Sequence, residues 1–321
     1  MSGADPLDPD PFDAGPLYFL VGPTACGKSA AALEICEQAG AELLSLDSMQ
    51  VYRGLDVGTA KPSAADLRRV RHHLVDIADP GRRFDVQQFL EHAAAALVDV
   101  RDRGQGALFV GGTGLYLAAL LRGMFQGPPV DEDLRARIEE RAQRVGAAVL
   151  HAELAACDPA AAGRLHANDR RRVVRALEVF EQTGRPLSEW QAEWDQRPTQ
   201  RERRARIVGL ELSPADLDRR IALRVEAMLD AGWREEALAL RAAGSLGPSA
   251  GQALGYAEVL AWAAGELERT EAARLIALRT RQFARRQRTW TRQFDVTWIP
   301  ADAPNLVARA LEHYHWGGAT H

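Results

Sequence analysis

The chain has 321 residues, 46% of them hydrophobic, and a formal net charge of −4; that is length for about two domains and apolar content for a proper core. No run approaches the roughly 18–20 uninterrupted apolar residues of a membrane helix, and the opening MSGADPLDPDPFDAGP is acidic and proline-rich, unlike a secretory signal. Three cysteines (Cys26, Cys36, Cys157) form no CxxC pair and eight histidines show no HExxH spacing, which argues against structural zinc and for a cytoplasmic setting.

Residues 1–16 read as a disordered lead-in. LYFLV (17–21) reads as a buried strand, and GPTACGKS follows it, with Gly22, four residues, Gly27, Lys28 and Ser29. In that spacing backbone N–H groups wrap phosphate, the lysine reaches its outer oxygens and the serine hydroxyl meets Mg²⁺. The loop works between a strand and a helix N-terminus, and a helical pattern with Leu33 and Ile35 begins at Ser29. A diphosphate or triphosphate ligand is the first inference. Of the forty basic residues only Lys28 and Lys61 are lysines, so both mark places where a compact three-donor ammonium is not replaceable by a planar fork.

Further strands are expected at ELLSL (42–46), ending at Asp47, at HLVDI (73–77), which holds Asp76, and at ALFV (107–110), which runs into GGTGLY and Thr113; a helix is expected over 85–103. This alternation predicts an α/β core with a parallel sheet, whose ligands gather beyond the carboxyl ends of the strands. Gly127, Pro128 and Pro129 interrupt the pattern, and residues 131–194 read as charged helices without strand signals. A strand returns at IVGLEL (207–212), then a helix capped by Ser213 with Pro214 in its first turn. Helices continue to about 292, followed by a strand at 296–299 and a helix at 306–313. The expected organisation is a P-loop core over 17–127 and 203–321, with a helical insertion over 128–202.

Residues 269–292 carry eight arginines, Arg281, Arg285, Arg286 and Arg288 among them, against the single acid Glu271, interleaved with Phe283 and Trp290. Such a tract suits a phosphate backbone with bases nearby; a solvated helix face is the plain alternative.

Together, GPTACGKS, DSMQVYRGLDVGTAKPS from Asp47, HHLVDIADP from His72, GGTGLYLAALLRG from Gly111, NDRRRVVRALEV from Asn168, QALGYAE from Gln252 and TRQFARRQRTW from Thr280 closely resemble the tRNA dimethylallyltransferases, also called tRNA isopentenyltransferases. The resemblance covers most of the chain, in the family's order. It implies a P-loop NTPase-like fold and a soluble, monomeric, Mg²⁺-dependent enzyme. Such an enzyme transfers a dimethylallyl group from dimethylallyl diphosphate to N6 of the adenosine immediately 3′ of the anticodon, with the anticodon stem-loop of tRNA as partner. In places the sequence departs from the family pattern: Cys26 stands for the commoner serine, Ala257 for lysine, and Phe283 and Arg285 for tyrosine and lysine.

The resemblance makes Asp47 the general base for N6; a Walker-type aspartate holding a magnesium water is the alternative. Gly22, Pro23, Thr24, Ala25, Cys26, Gly27, Lys28 and Ser29 are expected to hold diphosphate, with Ser29 on Mg²⁺ and Thr24 donating to the bridging oxygen, and Arg224 is expected to reach the diphosphate from the other side. The resemblance places tRNA against Asp47, Ser48, Met49, Gln50, Thr113, Arg171, Arg172, Val173, Val174, Arg175, Gly255, Tyr256, Arg281, Arg285 and Arg286. Gln50 and Ser48 are expected to meet the base edge; core packing is the alternative for Tyr256, and a strand-to-helix turn for Thr113. Lys61 is assigned to RNA phosphate or to loop anchoring. A P-loop small-molecule kinase or ATPase shares the cradle, but no adenine-pocket signature accompanies it here. A non-catalytic RNA-binding protein has no need of Lys28, Ser29 and Asp47 together.

Overall fold

A computed structural model describes residues 10–124, 127–194 and 199–316. The chain divides into two compact units, one running to Leu121 and resuming at Gln200, the other spanning Arg122–Thr199. In the first unit the leading elements are β1 (Tyr18–Val21), α1 (Lys28–Ala39), β2 (Ala41–Leu46), α2 (Ala64–Arg69), β3 (His72–His73), α3 (Val86–Asp102), β4 (Gly106–Gly111) and α4 (Gly114–Arg122). The second unit contains α5 (Glu132–Val145), α6 (Ala147–Cys157), α7 (Pro159–Arg164), α8 (Arg170–Thr183) and α9 (Leu187–Trp194). The first unit resumes with α10 (Gln200–Arg204), β5 (Arg206–Glu211), α11 (Pro214–Asp230), α12 (Trp233–Ala242), α13 (Tyr256–Ala263), α14 (Arg269–Thr291), β6 (Thr297–Pro300) and α15 (Leu306–Tyr314).

The six strands form one sheet in the order β3-β2-β4-β1-β5-β6, and every pairing is parallel. Parallel neighbours need crossovers, and the helices between them cover both faces. This is why β2 is buried at all six positions instead of alternating. Two apolar clusters flank the sheet, one built around Leu20, Ile35, Val208 and Ile221, the other around Phe19, Phe89, Phe109 and Leu117. Among the described residues no helix is long and apolar enough to cross a membrane.

Two expectations are corrected and one alternative is narrowed. The strand expected over 73–77 is only His72–His73, because Leu74 (φ 64°) and Asp76 (φ 57°) turn into the left-handed region and carry the chain out of the sheet. The lead-in expected to be disordered is packed from Asp10 on: Phe12 is 5% exposed, and Arg201 grips Asp10 at 2.7 Å and Asp13 at 2.9 Å. Residues 1–9 lie outside the described residues. The arginine tract is not only a solvated face, because α14 buries Ala273, Ala277, Ala284, Gln287 and Thr291, a stripe at helical spacing.

In the second unit, α5, α6 and α8 close a small core containing Ile138, Leu154, Val173 and Val174. The Glu178 carboxylate there is 0% exposed and is paired with Arg135 at 2.6 Å and Arg175 at 3.0 Å. A buried charge persists where it is so neutralised.

Candidate active site

The strand ends of β1, β2 and β4 meet at the P-loop. Gly22 (φ 146°) and Gly27 (φ 100°) take conformations that side chains disfavour; a Cβ at Gly22 would lie 2.6 Å from the carbonyl of Leu210. The loop delivers the N-terminus of α1, whose cap residue Gly27 offers no side chain to its first-turn N–H groups. Those groups, with the helix dipole, are left to face an anion. Lys28 Nζ donates to the Gly22 and Pro23 carbonyls at 2.8 and 2.6 Å, within the same loop.

A cavity of about 460 Å³ opens over this loop, lined by Thr24, Lys28, Ser29, Asp47, Arg220 and Arg224 among others. Arg220 Nη1 donates to the Cys26 carbonyl at 3.3 Å. Arg224 lies one turn further along α11, and burial lowers its pKa below the usual range while the carboxylate of Asp47 opposes that shift. Among the described residues it has no ion-pair partner, so an anion arriving in the cavity meets a guanidinium with only the more distant charge of Asp47 set against it.

A second cavity, of about 530 Å³, adjoins the first and is lined by Met49, Val225, Met228, Trp233, Leu254 and Arg286 among others. Thr24, Asp47, Thr59, Arg224 and Phe283 line both. One cavity is an anion cradle, the other is largely apolar with arginine at its edge, and Asp47 stands at their junction.

Asp47 is held there by its neighbours. Its Oδ1 accepts from Met49 N at 2.8 Å and Gln50 N at 3.3 Å, leaving Oδ2 without a hydrogen bond among the described residues. Thr113 clamps both sides of it: its N–H donates to the Leu46 carbonyl at 3.1 Å, and its Oγ1 accepts from Ser48 N at 3.1 Å. Thr113 therefore positions the turn that presents Asp47.

Of the expected site residues, Thr24, Ala25, Gly27, Lys28, Ser29, Asp47, Gln50 and Arg224 come together at the first cavity, and Ser48, Met49, Gly255 and Arg286 join Asp47 at the second. Several expected residues are committed to other contacts. Gln50 is not free to meet a base: its Oε1 accepts from Ser45 Oγ at 2.9 Å and its Nε2 donates to the Thr59 and Ala60 carbonyls, each at 3.2 Å. Tyr256 is 1% exposed and donates to Glu236 Oε1 at 2.6 Å, so packing, not RNA contact, accounts for it. Val173 and Val174, at 0% and 2% exposure, lie in the core of the second unit. Arg175 is spent on Glu178 and on the Pro128 carbonyl; Arg171 and Arg172 are exposed, and Arg172 also pairs with Asp169 at 2.9 Å. Asp76 lines neither cavity; it pairs with Lys61.

Lys61 resolves into a loop anchor. On a side chain only 5% exposed, its ammonium donates to the Tyr52 carbonyl, Asp56 and Asp76 at 2.6, 2.6 and 2.5 Å, using all three of its protons. The loop it ties down is capped from the other side by Glu236, which accepts from the N–H groups of Asp56, Val57 and Gly58. A planar guanidinium cannot reproduce three converging bonds. Lys61→Arg is expected to lower unfolding free energy by roughly 1–3 kcal/mol, read from urea unfolding midpoints; an unchanged midpoint removes the anchor role.

Sequence reasoning missed two residues at the site. Arg220 was signalled by its four-residue spacing from Arg224. Gln287 was hidden among arginines; it bonds Thr24 N at 2.8 Å and the Gly112 carbonyl at 3.1 Å.

A family model described as IPP transferase matches residues 50–294. The chain is 44% identical over 303 residues to a tRNA dimethylallyltransferase of Geobacter metallireducens, covering 93% of this chain and 97% of that one. A tRNA dimethylallyltransferase of Shouchella clausii is 41% identical over 303 residues, covering 94% and 96%. Among solved structures, a tRNA isopentenylpyrophosphate transferase of Bacillus halodurans superposes with a TM-score of 0.66 at 35% identity, covering 94% of this chain and 96% of that one. A eukaryotic dimethylallyltransferase captured acting on tRNA gives a TM-score of 0.76 at 26% identity, covering 93% of this chain and 78% of the other. The chain therefore belongs to the IPP transferase family.

Proposed function

We propose that this chain transfers a dimethylallyl group from dimethylallyl diphosphate to N6 of the adenosine immediately 3′ of the anticodon in tRNA. The observation that carries the reading is the placement of Asp47 where an anion cradle and an apolar cavity adjoin. The diphosphate lies against the amides of the P-loop, Lys28, Arg220 and Arg224, and the allylic carbon points towards the junction. The adenine enters the second cavity between Met49 and Phe283, lifted out of the anticodon loop at a cost of a few kcal/mol. The N6 lone pair then attacks the allylic carbon and the C–O bond breaks. Its electron pair leaves on the diphosphate, and the N6 proton passes to Oδ2 of Asp47. The cationic cradle stabilises the charge that develops on the leaving oxygen.

Magnesium fits the donor set, because the exposed hydroxyl of Ser29 and the carboxylate of Asp47 line the same cavity as Lys28. Among the described residues no group of three or more His, Cys, Asp or Glu side chains forms a cage, so phosphate oxygens and water would complete the coordination of a Mg²⁺ ion held by Ser29. When bound, the ion neutralises diphosphate charge. Both cavities are built by one unit of a single chain, which supports action as a monomer. The free thiols of Cys26, Cys36 and Cys157 suit a reducing cytoplasm.

Arg281, Arg285, Arg286, Arg288 and Arg292 have no acidic partner among the described residues, unlike Arg269, Arg274 and Arg279. We assign them, with exposed Arg171 and Arg172, to tRNA phosphates. Arg286→Ala is expected to weaken tRNA binding and reduce its salt slope by about one; an unchanged slope returns the tract to solvent. The reaction itself is tested by incubating the protein with labelled dimethylallyl diphosphate and unmodified tRNA. Label transfer without ATP is expected, and ATP turnover with no transfer would overturn the reading.

A further inference from the structure

Gln287 sits on the buried stripe of α14, 7% exposed, between the outward-facing Arg286 and the half-buried Arg288. Its amide is used at both ends. Oε1 accepts from the backbone N–H of Thr24 at 2.8 Å, and Nε2 donates to the carbonyl of Gly112 at 3.1 Å. The fit leaves no slack: a Cβ on Gly112 would fall 2.1 Å from Nε2.

Gln287 and both partners line the donor cavity, and each partner leads on to a different participant in the reaction. Thr24, in the P-loop, lines both cavities. Gly112 precedes Thr113, which binds the Leu46 carbonyl and the Ser48 N–H on either side of Asp47. One side-chain amide thus ties the loop that holds the leaving group to the turn that holds the proton acceptor.

We propose that Gln287 is a positioning residue that sets the register between Thr24 and Asp47, and so between the departing diphosphate and the incoming N6 amine. The inference rests on the transfer reaction proposed above. The alignment matters because reacting atoms must be held near 3–3.5 Å in line, and a displacement of about 1 Å can cost roughly 10²-fold in rate. Glutamine suits the task because one group must accept at one end and donate at the other. A carboxylate can still accept from Thr24 but presents a lone pair to the Gly112 carbonyl. A protonated carboxyl regains the donor.

The test compares Gln287→Ala and Gln287→Glu with the unaltered chain in single-turnover transfer, with tRNA affinity measured separately by filter binding. Gln287→Ala is expected to lower the rate of the transfer step by roughly 10–10²-fold with tRNA affinity unchanged. The rate of Gln287→Glu, relative to the unaltered chain, is expected to rise as pH falls from about 8 to about 6, as its carboxyl takes up a proton. A pH-independent ratio, or a loss of tRNA affinity matching the loss of rate, would overturn the proposal. If the unaltered chain transfers no prenyl group, it is the proposed reaction that fails; normal transfer by both variants refutes only the role of Gln287.

Discussion

Asp47→Asn is expected to lower the rate of prenyl transfer by roughly 10²–10⁴-fold, the usual contribution of a positioned general base, while tRNA affinity stays within a factor of about two. Asparagine is the informative replacement. The Oδ1 atom of Asp47 holds the turn through Met49 N and Gln50 N, and an asparagine carbonyl can accept the same two bonds. What disappears is the basicity of Oδ2. An alanine removes both roles at once, and its loss of activity would mix a collapsed turn with a missing base. Single-turnover rates with bound tRNA separate the chemical step from binding, and an unimpaired Asp47→Asn enzyme would exclude Asp47 as the proton acceptor.

Lys28→Met is expected to have the next largest effect, lowering the transfer rate by about 10²–10³-fold, as loss of one preorganised charge-stabilising donor does elsewhere. Methionine keeps the length of the stem and loses only the ammonium. Lys28 is already gathered against the Gly22 and Pro23 carbonyls, so its charge stands in the cradle before the donor arrives. Arg220 and Arg224 approach the same cavity from α11 and on the proposed reading would hold part of the affinity for the ground-state diphosphate. The substitution is therefore expected to depress kcat more than it raises KM for the donor, because the charge on the leaving oxygens grows in the transition state. A change confined to KM would reduce Lys28 to a ground-state binding group.

Much of the core was legible because its signals are local. A strand, a glycine-rich turn and a helix in immediate succession specify a P-loop by backbone geometry alone, and GPTACGKS supplies the glycines at Gly22 and Gly27 whose φ values are 146° and 100°. Four of six strands stood out as buried apolar runs, and the edge strand β6 as a short strand-like segment with one buried residue, Ile299. The exception, over 73–77, failed because two non-glycine residues, Leu74 and Asp76, adopt positive φ. Non-glycine residues tolerate this only where tertiary contacts enforce it, and here Asp76 is drawn to Lys61.

The sequence by itself determined the α/β core, the phosphate cradle and the position of Asp47 at a strand end, since each follows from residues adjacent in the chain. It also singled out two lysines, but not their different tasks. Only the tertiary structure decided which polar side chains face the cavities and which are consumed holding them. Gln50, Tyr256 and Arg175 carry groups able to bind RNA, yet each meets partners 9, 20 and 47 residues away that take up those groups. Gln287 shows the converse, since its partner Thr24 is 263 residues distant. A side chain's hydrogen-bonding capacity is set by its chemistry, but whether that capacity remains for a ligand depends on which distant backbone groups folding brings within about 3 Å.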